Sequence, residues 1–574
     1  MLVTGPASSA CKIRIRAVGA AFILDESDSL FTISDSAGPE ISLPDTVRSA
    51  QRGQALVVAA KATDRSGIKA MTLHYRRGGA NAFTSAIMTA VAPDSFVQTI
   101  PADAVTEHGV EYFVRGEDNI GIASRTNVFP VEVRFAAGVQ TRRVQRGTDQ
   151  TRYRMVSSPN LLDEPLADAI FQASGFGVYD TTSWRLFQFR TGINVERDSL
   201  TAQTFVFTPG EAYWLISARD RVINFGAGVS LPPGQPFTLR LEPGWNQIAD
   251  PFAFSVPWDS VVAFNGNPNV TPPFFYEGTY DVTDVLQPYE GYFVFNRNSQ
   301  PIDLRVPPTG VGAATKPVNP QPASGWRLQI EARCQQARDH YNYLGVHPDA
   351  ASEWDPLDLP EPPPIGRYVS VVFPRPAWNP YPNRYTTEMR PRLGAGQTWS
   401  FAVETNIPHA EVRLEVRGVE TLPSDVEAWL VDDALGVRRD LRREASYVLP
   451  TGPRGVTKAL KMVIGPLDYL AQEVPGAQFV PDQFELAQNF PNPFNPATTI
   501  RFGLPRPASV TVRIFDLLGR EVATLVEQET LPAGFHVVTW DGRDRYGRAV
   551  ASGVYLYRME AGAFREIRKM VLVR

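Results

Sequence analysis

The chain has 574 residues, of which 43% are hydrophobic and 20% are charged, and its formal net charge is −5 at pH 7. This composition is typical of folded domains rather than disordered chains, and about 150 residues per domain predicts roughly four domains. The small negative charge argues against a nucleic-acid partner. No apolar run approaches the ~20 residues that a membrane helix needs, so no transmembrane segment is predicted.

Cysteine and histidine are too few and too dispersed for a typical zinc site. Cys11 and Cys334 stand far apart, and each lies in a segment that alternates apolar and polar residues. Alternation puts each thiol on an apolar strand face, so both are predicted to be small buried hydrophobes in different domains. The sequence predicts no disulfide, no metal and no other cofactor.

The first part of the chain contains one incomplete and one complete β-domain. Residues 1–36 hold two or three strand-like segments, too few to close a sandwich, and no signal peptide precedes them. We interpret them as the remnant of a truncated β-domain. Residues 37–137 carry several short strands separated by turns, as in an immunoglobulin-like sandwich. Their pattern, from Asp64-x-x-Gly67 to Asp118-Asn-x-Gly121, resembles the immunoglobulin-like modules that space bacterial surface proteins.

Residues 150–310 contain an internal repeat, with copies at about 150–230 and 240–308. The segment PGEAYWLI at 209–216 matches PYEGYFVF at 288–295, and each copy has a helix-like stretch after its first strand. Duplicated sheet units usually bury their aromatic residues against each other. The alternative is that an aromatic residue such as Trp214 stacks on a sugar.

Residues 325–466 form a further β-domain, which a Pro-rich linker at 309–324 separates from the repeat. An aromatic, Pro-rich loop runs from Trp378 to Tyr385 and is predicted either to stack on a glycan or to pack down as a lid. The chain has no HExxH, G-x-S-x-G or P-loop motif, so no catalytic residue is predicted.

The last ninety residues, 484–574, carry the most specific pattern. They contain NPFNP at 492–496, Asp516-x-x-Gly519, Trp540-Asp-Gly542, Ser552-Gly-Val-Tyr555 and a basic-aliphatic end, Lys569-Met-Val-Leu-Val-Arg574. Three segments alternate apolar and polar residues between turns, which predicts six or seven short strands and a compact sandwich.

This segment resembles the C-terminal sorting domain (type A) of the type IX secretion system. The resemblance implies an address domain that directs a cargo from the periplasm through the outer membrane, and it implies the secretion translocon and a sortase-like machinery as partners. It also implies release, or attachment to surface lipopolysaccharide. Carried over by position, the recognition residues are Asp516, Gly519, Gly534, Trp540, Gly542, Gly553, Tyr555, Lys569, Met570 and Arg574. The segment is also similar to the immunoglobulin-like domain of flagellar hook-capping proteins.

Taken together, the sequence predicts an all-β chain of immunoglobulin-like and other β-sandwich modules with Pro-rich linkers. We expect a non-catalytic protein of spacer or adhesin-like modules, exported to the cell surface or the medium. One alternative is the C-terminal stalk of a secreted peptidase or glycan hydrolase whose catalytic domain lies before Met1. Another is a carbohydrate-binding protein that uses Trp214, Trp378 or Tyr385.

Overall fold

The computed structural model describes residues 8–16, 18–19, 24–33, 36–136, 140–310, 325–378, 383–391, 394, 396–423, 425–474, 481 and 483–573. About 51% of the chain is strand and 6% is helix, which confirms the predicted all-β, multidomain fold. The chain divides into two compact units, residues 1–318 and 319–574. Most of the predicted linker at 309–324 lies outside the described residues.

The first unit begins with two short sheets, which pair as β1-β4 and β2-β3. Their strands are β1 (Ser8–Cys11), β2 (Arg14–Arg16), β3 (Leu24–Glu26) and β4 (Phe31–Ile33). Cys11 is only half-buried, and Ile13 and Ile15 are exposed, so the predicted burial of this face is wrong. A two-stranded sheet has no second layer to cover either face.

An immunoglobulin-like sandwich follows. Its strands are β5 (Glu40–Ser42), β6 (Ser49–Gln51), β7 (Leu56–Thr63), β8 (Ile68–Arg77), β9 (Thr84–Ile87), β10 (Thr89–Ala92), β11 (Ser95–Ile100), β12 (Val110–Asp118), β13 (Ala123–Arg125) and β14 (Phe129–Phe135). One sheet has the order β10-β11-β7-β5, and the other contains β14-β12-β8-β9. Alternate residues of β7, from Leu56 to Ala62, are buried between the sheets, because side chains of a strand point to opposite faces.

The rest of this unit is built from two similar halves. Its elements are β15 (Gln140–Val144), β16 (Arg154–Ser157), β17 (Leu161–Leu162), α1 (Ala167–Ala173), β18 (Trp184–Arg190), β19 (Ile193–Glu196), β20 (Ala212–Ser217), β21 (Arg221–Asn224), β22 (Gly228–Val229), β23 (Phe237–Leu241), β24 (Gly244–Ala249), β25 (Val256–Pro257), α2 (Trp258–Phe264), β26 (Phe274–Tyr276), β27 (Tyr280–Val282), β28 (Val285–Leu286), β29 (Gly291–Asn296) and β30 (Ile302–Val306). The two main sheets, β16-β20-β18-β19 and β24-β29-β26-β27, have the same strand order. Strands β22 and β17 extend the β14 sheet of the immunoglobulin-like sandwich.

The two halves pair with each other through equivalent positions. Val156 of the first half forms an antiparallel bridge with Glu290, and Glu211 forms the same bridge with Ile248 of the second half. The backbone N–H of Ser157 donates to Tyr289 O at 3.2 Å, and that of Ala249 donates to Gly210 O at 2.9 Å. These reciprocal contacts relate the halves by an approximate two-fold axis.

The second unit begins with a sandwich of two six-stranded sheets. Its elements are β31 (Trp326–Cys334), β32 (Ala337–Asp339), β33 (Tyr343–Val346), β34 (Val369–Pro374), β35 (Arg384–Tyr385), β36 (Thr387–Arg390), β37 (Gln397–Thr405), β38 (Glu411–Arg417), β39 (Glu427–Asp432), β40 (Val437–Asp440), β41 (Ser446–Pro450), β42 (Val456–Gly465) and α3 (Leu467–Glu473). Five alternating residues of β31, which include Cys334, are buried in its core, as predicted. Helix α3 lies between the predicted domains at 325–466 and 484–574, and it is held because Leu470 and Val474 pack in one cluster with Trp429.

The chain ends in a seven-stranded sandwich, which we call the C-terminal sandwich. Its strands are β43 (Glu485–Leu486), β44 (Thr498–Leu504), β45 (Ala508–Phe515), β46 (Glu521–Leu531), β47 (Gly534–Trp540), β48 (Gly553–Ala561) and β49 (Phe564–Leu572). They form the sheets β43-β44-β47 and β46-β45-β48-β49. Their facing side chains make a hydrophobic core separate from that of the preceding domain.

A buried charge pair joins the C-terminal sandwich to the preceding domain. Arg501 Nε of β44 lies 2.8 Å from Glu427 Oε1 of β39, and the two side chains are 5% and 3% exposed. Arg501 Nε makes no aligned hydrogen bond, so its approach to that oxygen is a charge contact. The Arg501 guanidinium also lies over the Phe535 ring, 3.8 Å from its centroid.

Candidate functional site

Most of the residues that the sequence singles out in the C-terminal sandwich lie at one end of it. Strand pairing fixes this, because Thr498 pairs with Trp540, Phe515 pairs with Glu521, and Gly553 pairs with Leu572. The turn at 516–520, the connection at 541–552 and the final residues of β49 therefore share one end, which we call the distal end. The chain enters the sandwich at the opposite end, where Glu485 pairs with Gly503.

The first turn of the distal end is held by Asp516. Its Oδ1 accepts hydrogen bonds from the backbone N–H groups of Leu518 (3.0 Å) and Arg520 (2.9 Å), and its Oδ2 accepts from Arg520 Nε at 2.7 Å. The backbone hydrogen bond from Arg520 is the largest of the effects that hold the pKa of Asp516 below its ordinary value. Gly519 closes the turn at φ +77°, a conformation that residues with a Cβ rarely adopt.

A second turn repeats this arrangement, and sequence reasoning missed it. Asp544 Oδ1 accepts from the N–H groups of Tyr546 (2.9 Å) and Arg548 (3.0 Å), its Oδ2 accepts from Arg548 Nε at 3.0 Å, and Gly547 has φ +75°. The two turns, DLLGR at 516–520 and DRYGR at 544–548, share the pattern D-x-x-G-R, which was available in the sequence. They lie side by side, since the Arg545 N–H donates to Val522 O at 2.9 Å.

Two aromatic residues of the distal end, Trp540 and Tyr555, pack beneath these turns and hydrogen-bond to the connection between β47 and β48. Trp540 Nε1 donates to Arg543 O at 2.8 Å, and the Trp540 ring packs on Tyr555 at a centroid distance of 5.2 Å. The Tyr555 hydroxyl donates to Ala551 O at 2.7 Å. Gly542 O accepts from the Val550 N–H at 3.0 Å. Trp540 is fully buried, so its side chain presents no surface to solvent and serves to position the backbone around it.

The final residues are part of the sandwich and not a free tail. Met570 and Leu572 are buried in its core, and β49 pairs with β48 along its whole length. Phe494 of the NPFNP segment closes the other side, because its N–H donates to Val571 O and its carbonyl accepts from Val573, both at 2.9 Å. Among the described residues of this segment, Lys569 and Val573 present exposed side chains. Arg574 lies outside the described residues.

One predicted recognition residue is not at the distal end. Gly534 begins β47 and pairs with Leu504, so it lies at the end where the chain enters the sandwich. Its φ of +136° suits the turn between β46 and β47. This position makes Gly534 a turn former that is separated from the other predicted recognition residues by the length of the sheet.

Large apolar side chains are exposed at the tips of the two turns, which sequence reasoning also missed. Leu517 and Leu518 are 67% and 78% exposed at the central positions of the first turn, and Tyr546 is 67% exposed at the corresponding part of the second. Polar residues, glycine and proline usually fill such positions. Two adjacent leucines between Asp and Gly were the available signal.

The aromatic residues considered for glycan stacking are mostly inside the protein. Trp214 is fully buried, and its ring meets Tyr276 at 5.0 Å between centroids, where the two repeat halves join. Tyr385 is also fully buried and packs under the half-buried Trp378 at 5.0 Å. Trp214 and Tyr385 therefore offer no face to a ligand from solvent. The loop residues 379–382 lie outside the described residues.

A group of buried carboxylates lies in the domain at 325–466. Burial raises the pKa of Asp358 to about 8, that of Asp339 to about 6, and that of Glu361 well above its ordinary value. Two of these carboxylates accept hydrogen bonds from backbone N–H groups: that of Met389 donates to Asp358, and that of Val371 donates to Asp339. Within the described residues, no set of three His, Cys, Asp or Glu side chains is placed to hold a metal ion. In that part of the chain, no helix has the length and apolar character to cross a bilayer.

A family model gives one match to the chain. The model, described as the FlgD Ig-like domain, matches residues 492–563, which lie within the C-terminal sandwich. The match covers both D-x-x-G-R turns and stops just before β49. Residues 492–563 are therefore similar to an immunoglobulin-like domain of this kind. Among curated proteins, no relative of the chain is found.

Solved structures share only a distant likeness. PorZ, a surface component of the type IX secretion system of Porphyromonas gingivalis, is 15% identical over 30% of this chain and 21% of its own, with a TM-score of 0.13. Dimeric latent PorU of the same organism is 11% identical over 95% and 35%, with a TM-score of 0.15. A tetra-tandem repeat from the extending region of a large adhesion protein is 10% identical over 94% and 100%, at 0.17. The chain thus spans about a fifth and a third of the first two, and TM-scores this low carry no argument about its function.

Proposed function

We propose that the C-terminal sandwich is a sorting domain of the type IX secretion system, and that the remaining β-domains are its non-catalytic cargo at the cell surface or in the medium. The observation that carries this proposal is the grouping of the sorting-domain motifs at the distal end. Eight of the ten residues carried over from the resemblance, all but Gly534 and Arg574, lie there or directly support it.

The position of the distal end supports a recognition role. Two described contacts with the preceding domain are made by Arg501 and Phe535, on the sheet that contains β44 and β47. Neither residue belongs to the distal end, so these contacts leave the two turns uncovered. The separate core of the sandwich lets the domain keep its fold while the cargo varies.

The test is export of the full chain from a bacterium that carries a type IX secretion system, with a signal peptide supplied. Deletion of residues 484–574 should leave the remaining chain in the periplasm, while the full chain reaches the cell surface or the medium. Fusion of 484–574 to a periplasmic reporter enzyme should export the reporter. Export of the deleted chain at the level of the full chain would contradict the proposal.

A second function is favoured by the family match at 492–563. In this alternative, the C-terminal sandwich is a structural immunoglobulin-like module that extends or joins the β-domains and carries no address. The same deletion separates the two functions. A structural module predicts unchanged export and reduced stability of the preceding domain, whereas a sorting domain predicts loss of export.

A further inference from the structure

We propose that the tips of the two D-x-x-G-R turns form a docking face for a partner protein that presents an apolar recess with an acidic rim. This inference rests on the sorting function proposed above and identifies where that partner binds. The face consists of Leu517, Leu518 and Tyr546, together with the guanidinium groups of Arg520 and Arg548. We call it the tip face.

The apolar part of the tip face is exposed and fixed in place. Leu517 and Leu518 contribute nothing to the core, and both are more than two-thirds exposed. Asp516 nevertheless holds the turn with two hydrogen bonds from its backbone, so this backbone loses little conformational freedom when a partner covers the leucines. Exposed apolar side chains grouped in this way mark interaction sites.

The charged part of the tip face is positive toward solvent. The side chains of Arg520 and Arg548 are 75% and 73% exposed, whereas those of their partners Asp516 and Asp544 are only 21% and 19% exposed. The carboxylates are therefore recessed beneath the turns, and the guanidinium groups stand outside them. Arg545, also exposed, lies with its guanidinium 4.9 Å from the Tyr546 ring centroid.

These two features together determine the chemistry of the partner. Apolar tips need a recess that removes them from water, and outward guanidinium groups need carboxylates around that recess. Tyrosine and arginine are also the residue types that most often dominate binding at protein interfaces. A fully apolar partner would desolvate the outer sides of the guanidinium groups, for which Asp516 and Asp544 beneath them are the carboxylates described.

The test compares export of full-length variants in the bacterium described above. The double variant Leu517→Ser/Leu518→Ser should reduce export by about tenfold or more, because loss of a central apolar contact costs on the order of 1–2 kcal/mol of binding. The matched control is Leu200→Ser, which removes an 88% exposed leucine from the first unit and should leave export unchanged. Unchanged thermal unfolding of both variants shows that the effect is not one of folding.

Two further variants separate the apolar and charged contributions. Leu518→Asp places a carboxylate at the tip and should reduce export more than serine does, because it would meet the acidic rim of the partner. Arg545→Glu reverses an exposed charge for which no ion pair is described, and it should reduce export by a smaller factor, on the order of threefold. Normal export of the double serine variant and of Leu518→Asp would overturn the proposal that the tip face binds a partner protein.

The outcomes distinguish this inference from the function on which it rests. If deletion of 484–574 abolishes export and the tip variants are exported normally, the sorting function stands and the proposed docking role of the tip face is wrong. If the deletion does not affect export, the sorting function itself fails. Binding of the purified chain to phosphatidylglycerol vesicles, lost in Leu517→Ser/Leu518→Ser, would also overturn the inference, because the face would then contact a lipid surface and not a protein.

Discussion

Gly291 and Ala212 occupy the same position of the repeated motif and contact each other between the two halves of the repeat. A Cβ built on Gly291 would lie 2.5 Å from the Cβ of Ala212 and 2.7 Å from that of Met155. Only one methyl group therefore fits between the halves at this point. The motif reads Ala in one copy and Gly in the other because the approximate two-fold axis brings the two positions together.

The first prediction follows from this contact. Gly291→Ala should lower the free energy of unfolding by about 1–3 kcal/mol, because it overpacks a buried interface. The exchange Ala212→Gly/Gly291→Ala should restore only the part of that loss that is due to Ala212, since the close approach to the Cβ of Met155 remains. Urea unfolding of the full chain, followed by the fluorescence of the buried Trp214, measures both. A double variant no more stable than the single one would contradict the steric explanation.

The second prediction concerns the charge pair between the last two domains. Arg501→Ala should destabilise their junction by up to about 3–5 kcal/mol, because it removes the nearer of the two arginines beside the buried Glu427 carboxylate and leaves only Arg442 at 4.0 Å. Burial already raises the pKa of Glu427 above its ordinary value, with Arg501 opposing that shift. The double variant Arg501→Met/Glu427→Leu should be less harmful, since it removes both members of this pair and leaves only the weaker neighbours Arg442 and Glu485 without them. Protease cleavage of the segment between α3 and β43 reports the opening of this junction.

The control for that experiment is Arg520→Ala, which breaks an ion pair whose arginine is 75% exposed. Pairs in water contribute about 0–1 kcal/mol, so its cleavage rate should match that of the unmodified chain. Equal effects of Arg501→Ala and Arg520→Ala would show that burial of the first pair has no energetic consequence.

The third prediction separates two roles of the final strand. Deletion of residues 569–574 should destabilise the C-terminal sandwich by several kcal/mol, because each buried side chain lost, Met570 and Leu572, contributes on the order of 2–5 kcal/mol. Lys569→Glu should leave the stability unchanged within about 0.5 kcal/mol, since its side chain is exposed. Hydrogen exchange of β48 measures stability, and export of Lys569→Glu alone reports on recognition of the exposed charge.

The fourth prediction uses the two matched turns. Gly519→Ala and Gly547→Ala should each cost about 1–2 kcal/mol, because both glycines have positive φ and open space around the added methyl group. Thermal unfolding should therefore show equal losses. A stronger effect of Gly519→Ala on export would assign recognition to the DLLGR turn. Equal effects on export would assign it to the distal end as a whole.

The fifth prediction is a pH dependence of the domain at 325–466. Burial raises the pKa of Asp358 to about 8, above its ordinary value of about 3.9, so the folded state keeps a proton that the unfolded state releases. This contribution to stability is complete below about pH 4 and is lost as the pH rises toward 8. Hydrogen exchange of β36, corrected for the intrinsic rate, should show weaker protection at pH 8 than at pH 5.

Two variants make this prediction specific. Asp358→Asn should flatten the dependence, because an amide does not titrate. Asp349→Asn, whose side chain is 87% exposed in the same domain, should leave it unchanged. A pH dependence that persists in Asp358→Asn would assign the effect to another group, such as Asp339 or Glu361.

Local patterns in the sequence predict much of this fold, for identifiable reasons. Strands such as β7 and β31 were predictable because alternation assigns one face to the core, and Cys334 is buried accordingly. The same reasoning fails for Cys11, because alternation does not reveal whether a second sheet covers the face. Local patterns also miss α3. This helix has only seven residues, and it is stabilised by the packing of Leu470 in a cluster with Trp429, which a local sequence pattern does not reveal.

The candidate site was predictable in its residues but not in its geometry. Asp516 and Trp540 stand out in the sequence, yet only strand register shows that they share an end of the sandwich and that Gly534 does not. Burial determines whether the predicted glycan-stacking residues are open to a ligand, and the sequence alone does not show it. Trp214 is equivalent to Phe293 in the repeat, and both lie inside, because the halves join through their aromatic faces.

The direction in which the chain runs through its last sandwich has a mechanical consequence. The peptide enters at one end, and β45 alone spans eight residues, or about 26 Å, toward the other. A force applied at the distal end is transmitted along hydrogen-bonded strands and then across the Arg501–Glu427 contact to the domain at 325–466. The sandwich is therefore a stiff spacer between its distal end and that domain.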